Sequence, residues 1–305
     1  MTGAFKSRFI PGILYFMFTL LLLSGCIAEN TDDCFKGIPL KVNLPADIPQ
    51  ETIKDMSLYV FDDKDLLLDI LPVNSMEPVI LNYPGIPTLH CVSLCNAQDG
   101  SMLLCPLKKG DSCSDCFISL KPFASARAGE QSMFTSPADL MHGELKIENK
   151  TTSGHVEDQI MEISRMTAAI NITLRGLQKF TGTDDENYLL VIHETYSRMD
   201  FSGNYGGDPA SYSPPMTLAA NKDFEVSMCR LFPTTNGEGI TINIYHDRDL
   251  IKSVTTDGSG NPIVPIVGKT TNLLLNFESS VDVKVEVTGW GETVNTIDSF
   301  IPDEI

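Results

Sequence analysis

The sequence is short of basic residues. Its 305 residues include 22 Lys and Arg against 40 Asp and Glu, which gives a formal net charge of −18 at pH 7. Nucleic-acid phosphates and anionic lipid headgroups would repel such a chain. Neither nucleic acid nor a charge-bound lipid surface is therefore an expected partner. The acidic balance suits a soluble, exterior protein, and the apolar share of 42% is ample for a core.

Catalytic signatures are also missing. The histidines do not form an H-E-x-x-H motif, and "DGSGN" lacks the spacing of a G-x-S-x-G nucleophile elbow. The acidic clusters "DDENY" and "DRD" do not follow the spacing of a calcium-binding EF-hand loop, so we expect solvated turns there. We predict no enzyme, no cofactor and no metal. Strand or loop positions are expected for the histidines, which are His90, His142, His155, His193 and His246.

The apolar stretch 9–23 is too short for a stable membrane span. A helix needs roughly 20 apolar residues to cross a bilayer, and basic residues precede this shorter run. That layout is typical of an export signal. The following "LSGC" resembles a bacterial lipobox, whose cysteine is acylated and becomes the new N-terminus after cleavage. We predict a lipoprotein signal peptide at 1–25 and lipidation of Cys26. The alternative is an ordinary signal peptide followed by a chance cysteine.

Cysteine is abundant for a cytosolic protein and plausible for an exported one, with eight residues in the chain. Once Cys26 carries lipid, an odd number remains, so not all of them can pair within the chain. The sequence leaves disulfides and structural thiols both open. The remaining cysteines are Cys34, Cys91, Cys95, Cys105, Cys113, Cys116 and Cys229.

Two local patterns constrain the cysteines further. Cys91 and Cys95 would point the same way on a strand, about 13 Å apart, whereas disulfide Cα atoms lie roughly 4.4–6.8 Å apart. They should therefore not bond each other. Cys113 and Cys116 form a C-x-x-C without the strand-to-helix context of a thioredoxin motif. Zinc would need four convergent ligands, to which Cys105 and His90 could add, but the spacing fits no standard finger. Disulfides or structural thiols are favoured over zinc and redox roles.

Period-two alternation recurs along the chain and predicts strands. In "VDVKVEVTGW", Val281, Val283, Val285 and Val287 share one face, opposite charged and polar residues. Turn sequences such as "GTDDEN" and "TDGSGNP" separate these runs. Only "SPADLMHGE", with Ser136 as a cap, looks like a helix start. Many short strands predict antiparallel β-sandwiches.

The mature chain is long enough for two such domains. Removing 25 residues from 305 leaves 280, and the polar "IENKTTSGHVEDQ" breaks the strand pattern near residue 160. We predict an N-terminal sandwich at 26–159 and a C-terminal sandwich at 160–305. The Gly/Ser/Pro-rich loop 202–215 contains Tyr205 and Tyr212, which could bind a ligand or belong to an ordinary surface loop.

Several motifs in order make the mature chain resemble the FimB/Mfa2 family of Bacteroidetes fimbrial lipoproteins. Cys34 soon follows the lipobox cysteine. "MSLYVFDDKDLLL" resembles an early family strand, and "HCVSLCNAQDG" occupies the place of a strand that ends in Asn. "DLMHGELKIE" follows, and "ISRMTAAINITLRGL" is close to Arg-x-x-Ala-x-Ile before Gly-Leu. "VTGW" lies near the C-terminus. The chain departs from the family in its cysteines between 91 and 116, with Cys95 where an aromatic is expected.

The resemblance implies two tandem transthyretin-like β-sandwiches, lipid-anchored in the outer membrane and exposed at the cell surface. Family members serve as anchor or accessory subunits of fimbriae, so fimbrial pilin subunits are the implied partners. Related pilins assemble when a strand of one subunit fills a groove in the next. The expected function is a non-enzymatic fimbrial subunit that joins pilins by strand addition, as a basal anchor or a tip component.

Two other functions stay open from the sequence. One is a surface lipoprotein that binds a glycan or protein ligand through loops such as 202–215. The other is an exported metal or redox protein that uses the cysteines between 91 and 116.

Overall fold

The computed structural model describes residues 37–74, 77–124, 132–149, 157–278 and 281–292. The predicted signal peptide 1–25, the lipidation site Cys26, and the residues Cys34 and His155 lie outside the described residues. Within those ranges, no helix combines the length and the apolar character that a bilayer crossing requires.

Strands dominate the first half of the described chain, as the period-two alternation predicted. They are β1 (Ile38–Asn43), β2 (Met56–Phe61), β3 (Leu67–Pro72), β4 (Val79–Leu81), β5 (Thr88–Cys95), β6 (Met102–Leu104), β7 (Phe117–Leu120), β8 (Pro122–Ala124), β9 (Met133–Phe134), β10 (Met141–Glu148), β11 (Gln159–Glu162) and β12 (Ser164–Arg165).

The second half continues the pattern with one short helix, α1 (Leu177–Thr181). Single 3-10 turns occur at Gln50–Thr52, Cys113–Asp115 and Thr235–Gly237. The strands are β13 (Ala168–Arg175), β14 (Tyr188–Thr195), β15 (Arg198–Asp200), β16 (Tyr205–Gly206), β17 (Ala210–Tyr212), β18 (Thr217–Leu218), β19 (Phe224–Leu231), β20 (Thr241–His246), β21 (Asp249–Val254), β22 (Thr270–Asn276) and β23 (Asp282–Thr288).

The first sandwich consists of a three-stranded sheet, β11-β1-β4, and a five-stranded sheet, β12-β10-β5-β2-β3. In β1 the alternation buries Leu40 and Val42 and exposes Lys41. Leu40 and Val42 share one hydrophobic cluster with Leu58 and Val60 of β2. The apolar faces of the two sheets therefore close over a common core.

The second sandwich consists of a five-stranded sheet, β18-β19-β13-β22-β23, and a six-stranded sheet, β21-β20-β14-β17-β9-β8. Its core includes Ile170 and Ile172 of β13 together with Leu190 and Ile192 of β14. The predicted all-β fold of sandwiches is confirmed. Parallel pairs nevertheless join β1 to β11, β13 to β22 and β9 to β17, so the sheets are mixed rather than purely antiparallel.

A four-stranded sheet, β16-β15-β7-β6, covers the outer face of the five-stranded sheet of the first sandwich. Tyr59 of β2 meets Phe201, which follows β15, with ring centroids 4.8 Å apart. Val92 and Leu94 of β5 share a hydrophobic cluster with Ile118 of β7. As a result β5 is buried on both faces.

Strand pairs join residues from the two sides of the predicted domain boundary. Residue 160 lies inside β11, which pairs with β1, and β12 pairs with β10. Conversely, β9 pairs with β17, and β7 pairs with β15. The sheets therefore do not divide at residue 160, because a polar loop in the sequence does not specify which sheet its flanking strands join. The domains 26–159 and 160–305 stay a prediction.

The predicted helix start at Ser136 is wrong. The Ser136 hydroxyl donates a hydrogen bond to the Arg230 carbonyl at 2.8 Å and accepts one from the Arg230 amide at 2.9 Å. Irregular chain follows it, and then β10 begins. A serine that could cap a helix instead closes the end of β19.

Candidate functional site

Cys91 and Cys95 lie inside the first sandwich. Both side chains enter the same core cluster, as the alternation of β5 predicted, and both are fully buried. Burial raises the pKa of each thiol to about 12. Because the thiolate is the reactive form of cysteine, these two residues are unreactive packing groups.

Cys105, Cys113 and Cys116 lie close together beside β7. The Cys105 amide donates to the Phe117 carbonyl at 3.0 Å, and the Phe117 amide donates to the Cys105 sulfur at 3.2 Å. The Cys116 thiol donates to the Ser112 carbonyl at 3.2 Å, and the Cys116 amide donates to the Cys113 carbonyl at 3.1 Å. The C-x-x-C thus forms a 3-10 turn before a strand. Cys229 belongs to the core of the second sandwich.

His90 does not complete a zinc site with these cysteines. Its Nδ1 lies 2.7 Å from the Asp65 carboxylate, and its Nε2 lies 2.9 Å from Glu144 but outside hydrogen-bond geometry. Carboxylates therefore occupy opposite ends of one ring, which prevents them from converging on a shared ion. In the part of the chain that the structure describes, no three His, Cys, Asp or Glu side chains form a metal site.

The other described histidines have structural partners. The His142 ring contacts the Phe201 carbonyl at 2.8 Å, and His193 contacts the Ser211 hydroxyl at 2.7 Å. His246 is 2.9 Å from the carboxylate of Asp185. Burial lowers the pKa of His193. These rings hold strands and loops together, as the sequence predicted for strand and loop histidines.

Tyr205 and Tyr212 do not face solvent as a ligand-binding pair. Tyr212 is 1% exposed, and its hydroxyl accepts a hydrogen bond from the Phe232 amide at 3.3 Å. Tyr205 is half-buried, and its hydroxyl donates to the Met166 carbonyl at 2.8 Å. The prediction that 202–215 binds a ligand relied on these two tyrosines. Each ring packs into the protein, so neither supports that prediction.

Sequence reasoning missed a polar junction cluster, defined here as Asp47, Asn96, Asp139, Arg165 and Trp290. The Arg165 side chain is 6% exposed and donates from Nε to the Asp139 carboxylate at 3.1 Å. Its other arm pairs with the largely exposed Asp47, and its guanidinium lies 4.5 Å from the centre of the Trp290 ring. Burial raises the pKa of Asp139, an effect that Arg165 opposes, whereas the hydrogen bond from Arg165 lowers the pKa of Asp47.

Asn96 ties the junction cluster to the end of β5. It adopts a left-handed backbone conformation (φ 58°), which Asn tolerates better than most residues. Its side-chain oxygen accepts from the Lys54 amide at 2.8 Å, and its side-chain nitrogen donates to the Asp139 carbonyl at 3.0 Å. The motifs "HCVSLCN", "ISRM" and "VTGW" therefore meet at one place. Their order in the sequence was visible, but their contact was not.

The longest edge strand among the described residues is β23, and it offers an assembly surface. All seven of its residues pair with β22, and no described strand lies on its other side. The Gly258 amide donates to the Val283 carbonyl at 2.7 Å, so the open part is taken as 285–288. Val283 is 9% exposed, Val285 is partly buried against the core, and Val287 is 43% exposed. The predicted apolar face of β23 thus runs from the core into solvent.

A separate cavity of about 490 Å³ opens elsewhere in the second sandwich. Apolar side chains from the vicinity of β9, β17 and β19 form much of its wall, and Phe123, at 75% exposure, stands at its rim. The main apolar wall residues are Phe134, Pro214, Pro215, Met216 and Met228. This cavity and the open part of β23 are two places where apolar groups of the second sandwich meet solvent.

Comparison with known proteins places the chain in a family. The family of fimbrillin-A associated anchor proteins Mfa1 and Mfa2 matches residues 31–296. The major fimbrium anchoring subunit FimB of Porphyromonas gingivalis is 25% identical over 300 residues, which cover 90% of this chain and 95% of FimB.

Solved structures show the same fold. The fimbrial anchor protein Mfa2 from Porphyromonas gingivalis is 14% identical with a TM-score of 0.52, over 83% of this chain and 97% of Mfa2. A candidate adhesin from Bacteroides ovatus is 14% identical with a TM-score of 0.59, over 82% and 92% of the two chains. Since the family match spans most of the sequence, the chain belongs to the fimbrillin-A associated anchor proteins Mfa1 and Mfa2.

Proposed function

We propose that this protein is an outer-membrane, lipid-anchored fimbrial subunit, anchor or accessory, that joins a pilin by β-strand addition. Family membership and the FimB relative, an anchoring subunit by name, support the fimbrial role. The lipobox-like "LSGC" supports acylation of Cys26 and a location on the cell surface. The role is non-enzymatic, and other fimbrial subunits are its partners.

The open edge of β23 is the observation that carries strand addition. An exposed edge presents unpaired main-chain groups that another strand can bond, and natural proteins normally protect such edges. Here a row of valines leaves the core along the same strand, from 9% exposure at Val283 to 43% at Val287. A donor strand laid along 285–288 would gain main-chain hydrogen bonds and would cover Val287 with its own side chains.

The test is capture of the pilin by variants of this edge. A Val287→Asp variant places a charge on the apolar face, and we expect it to retain at least about tenfold less pilin on co-purification, which corresponds to roughly 1.4 kcal/mol. The matched control is Leu250→Asp on β21, another edge residue with 53% exposure, which should bind as wild type does.

The reverse pattern would overturn the choice of edge. If Val287→Asp binds fully while Leu250→Asp loses the pilin, assembly runs along β21. If Met216→Asp alone abolishes capture, the donor enters the 490 Å³ cavity. Ligand capture through 202–215 has less support, because Tyr212 is buried.

A further inference from the structure

We propose that Cys105 and Cys116 form a disulfide in the exported protein and that Cys113 remains a thiol. This inference does not depend on the fimbrial role. It concerns a cluster of three sulfurs on one side of β7, whose members have different neighbours and different exposure. All three belong to the segment 105–116, which connects β6 to β7.

The backbone brings Cys105 and Cys116 within disulfide range. Strands β6 and β7 are antiparallel, with Leu104 opposite Ile118, and the Cys105 amide extends this ladder with a 3.0 Å bond to the Phe117 carbonyl. The Cys105 sulfur lies 3.2 Å from the Phe117 nitrogen. That nitrogen is two covalent bonds from the Cys116 Cα, so the Cys105 sulfur is within about 6 Å of it. Opposite Cα atoms in an antiparallel ladder lie about 4.5–5.5 Å apart, and the next residue lies about 3.3 Å along the strand. The Cα atoms of Cys105 and Cys116 are therefore about 6 Å apart, within the roughly 4.4–6.8 Å of a disulfide.

The side chains favour Cys105 over Cys113 as the partner. The Cys105 sulfur faces the start of β7, where it accepts a hydrogen bond from the Phe117 amide at 3.2 Å, and the Cys116 thiol beside it donates to the Ser112 carbonyl at 3.2 Å. Cys113 is the rival, because residues three apart in a 3-10 turn lie above one another. Cys113, however, is held by its amide, which donates to the Asp65 carbonyl at 2.8 Å, in the turn before β3. Only the bond to Cys105 would add a covalent link between the two strands.

Accessibility sets the order of the chemistry. Cys105 is partly exposed, whereas Cys116 is 1% exposed. The Cys105 thiolate attacks one sulfur of a disulfide-bearing oxidant, such as oxidised glutathione or an envelope thiol oxidase, and one oxidant sulfur leaves as a thiolate. Deprotonated Cys116 then displaces the second oxidant sulfur from the mixed disulfide while the segment 105–116 is still folding, because burial in the folded protein raises the pKa of this thiol to about 12. Two protein thiols lose two protons and two electrons, and the oxidant is reduced to two thiols.

The bond would fix a segment that covers another sheet edge. The segment between the two cysteines pairs with β3 at its start: the Leu67 amide donates to the Asp111 carbonyl at 2.9 Å, and the Gly110 amide donates to the Leu67 carbonyl at 2.8 Å. Closing the loop covalently lowers the entropy of the unfolded chain. The disulfide therefore stabilises the cover over the start of β3.

Cleavage before aspartate separates all three cysteines. Cuts before Asp99, Asp111, Asp115 and Asp139 place Cys105 on 99–110, Cys113 on 111–114 and Cys116 on 115–138. The protein is purified from the cell envelope and denatured in the presence of N-ethylmaleimide, so that buried thiols such as Cys113, at 5% exposure, are blocked as they become accessible. The masses of the peptides are then measured by mass spectrometry. We expect 99–110 linked to 115–138, with the label on 111–114. A link between 111–114 and 115–138, or labels on all three peptides, would overturn the proposal.

Melting curves give an independent test. Reduction with dithiothreitol should lower the Tm of wild type by about 5 °C. The Tm of Cys113→Ala should fall on reduction as that of wild type does. The Tm of Cys105→Ala should equal that of reduced wild type and should not change when dithiothreitol is added. If Cys105→Ala stays sensitive and Cys113→Ala does not, the C-x-x-C holds the bond instead.

Discussion

At the residue scale, Arg165 holds together parts of the chain that are far apart in sequence. Its side chain is 6% exposed and bonds the Asp139 carboxylate, while Trp290 covers its guanidinium at 4.5 Å. A planar guanidinium can donate in its plane and stack on an aromatic ring at the same time, which Lys cannot do. Asp47 is 61% exposed and therefore adds little to the stability of this cluster.

Loss of Arg165 should destabilise the protein strongly. In Arg165→Ala, Asp139 stays buried without its cation, and we expect a loss of about 3 kcal/mol in the free energy of unfolding. Urea titration followed by the emission of Trp290, the single tryptophan, measures both the loss and the change around the ring.

The matched control for Arg165 is Arg198→Ala. Arg198 also stacks on an aromatic ring, Phe117 at 5.0 Å, but it is exposed. Its loss should cost less than about 1 kcal/mol. Equal small effects of the two substitutions would mean that the junction cluster does not stabilise the fold.

Gly143 shows a second residue-scale constraint, inside β10. A Cβ at this position would lie 2.6 Å from a methyl group of Ile163 and 2.8 Å from the Glu162 carbonyl. Glycine inside a strand often marks close approach of another backbone. The glycine in "MHGE" is therefore explained by close packing, because the chain that links β11 to β12 passes directly over β10 at this position.

At the element scale, β5 is unusual because both of its faces are buried. Leu89 and Cys91 enter the core of the first sandwich, whereas Val92 and Leu94 pack under the four-stranded sheet. A strand covered on two sides reads as a nearly continuous apolar run, which is what "LHCVSLC" looks like. The same letters are compatible with one solvated face, so the covering sheet was not predictable from them.

Truncation of Leu94 tests whether the four-stranded sheet covers β5. We expect Leu94→Ala to cost about 3 kcal/mol, since the residue is fully buried under this sheet. The control, Ile70→Ala on β3 at the edge of the same sheet, removes a side chain that is 41% exposed and should cost less than about 1 kcal/mol. Midpoints of urea unfolding at constant m-value measure both. If Leu94→Ala lowers the free energy of unfolding by no more than Ile70→Ala does, the four-stranded sheet does not cover β5.

At the scale of the whole molecule, the two halves of the sequence exchange strands. β9 from the first half pairs with β17, and β11 from beyond residue 158 pairs with β1. Parallel pairs of this kind require long connections between the paired strands. The fold of each half of the chain therefore depends on strands from the other half.

Replacement of Cys26 tests the proposed anchoring of fimbriae in cells. Fimbriae are sheared from cells that carry wild type, Cys26→Ala or the control Cys34→Ala, and immunoblots locate this chain and the pilin. We expect wild type and Cys34→Ala to remain with fimbriae in the membrane fraction and Cys26→Ala to shed fimbriae into the medium, since the proposed tether is the set of acyl chains on Cys26.

Other outcomes of the shear experiment identify other roles. Fimbriae that stay attached in Cys26→Ala, with this chain on the sheared fibres, would make it a tip or accessory subunit. A chain that never fractionates with any pilin would contradict the fimbrial function and leave ligand binding as the better explanation.

Local pattern determined much of this protein. Alternation in "VDVKVEV" and "INITL" fixes strands and their inward faces, because side chains alternate across any strand. It also placed Cys91 and Cys95 on one face. The motifs around Asn96, Arg165 and Trp290 carried the family resemblance. The helix expected at Ser136 failed because the hydroxyl found a partner in Arg230, a residue remote in sequence.

The tertiary structure alone decided which strands are neighbours and which polar groups meet. Arg165 and Trp290 are separated by most of the second sandwich in sequence, yet they stack. Periodicity specifies which face of a strand is apolar, but several partners can cover that face equally well by this criterion. The choice among them depends on the packing of the whole chain, so the strand exchange, the junction cluster and the position of Cys105 beside the start of β7 appear only in the folded protein.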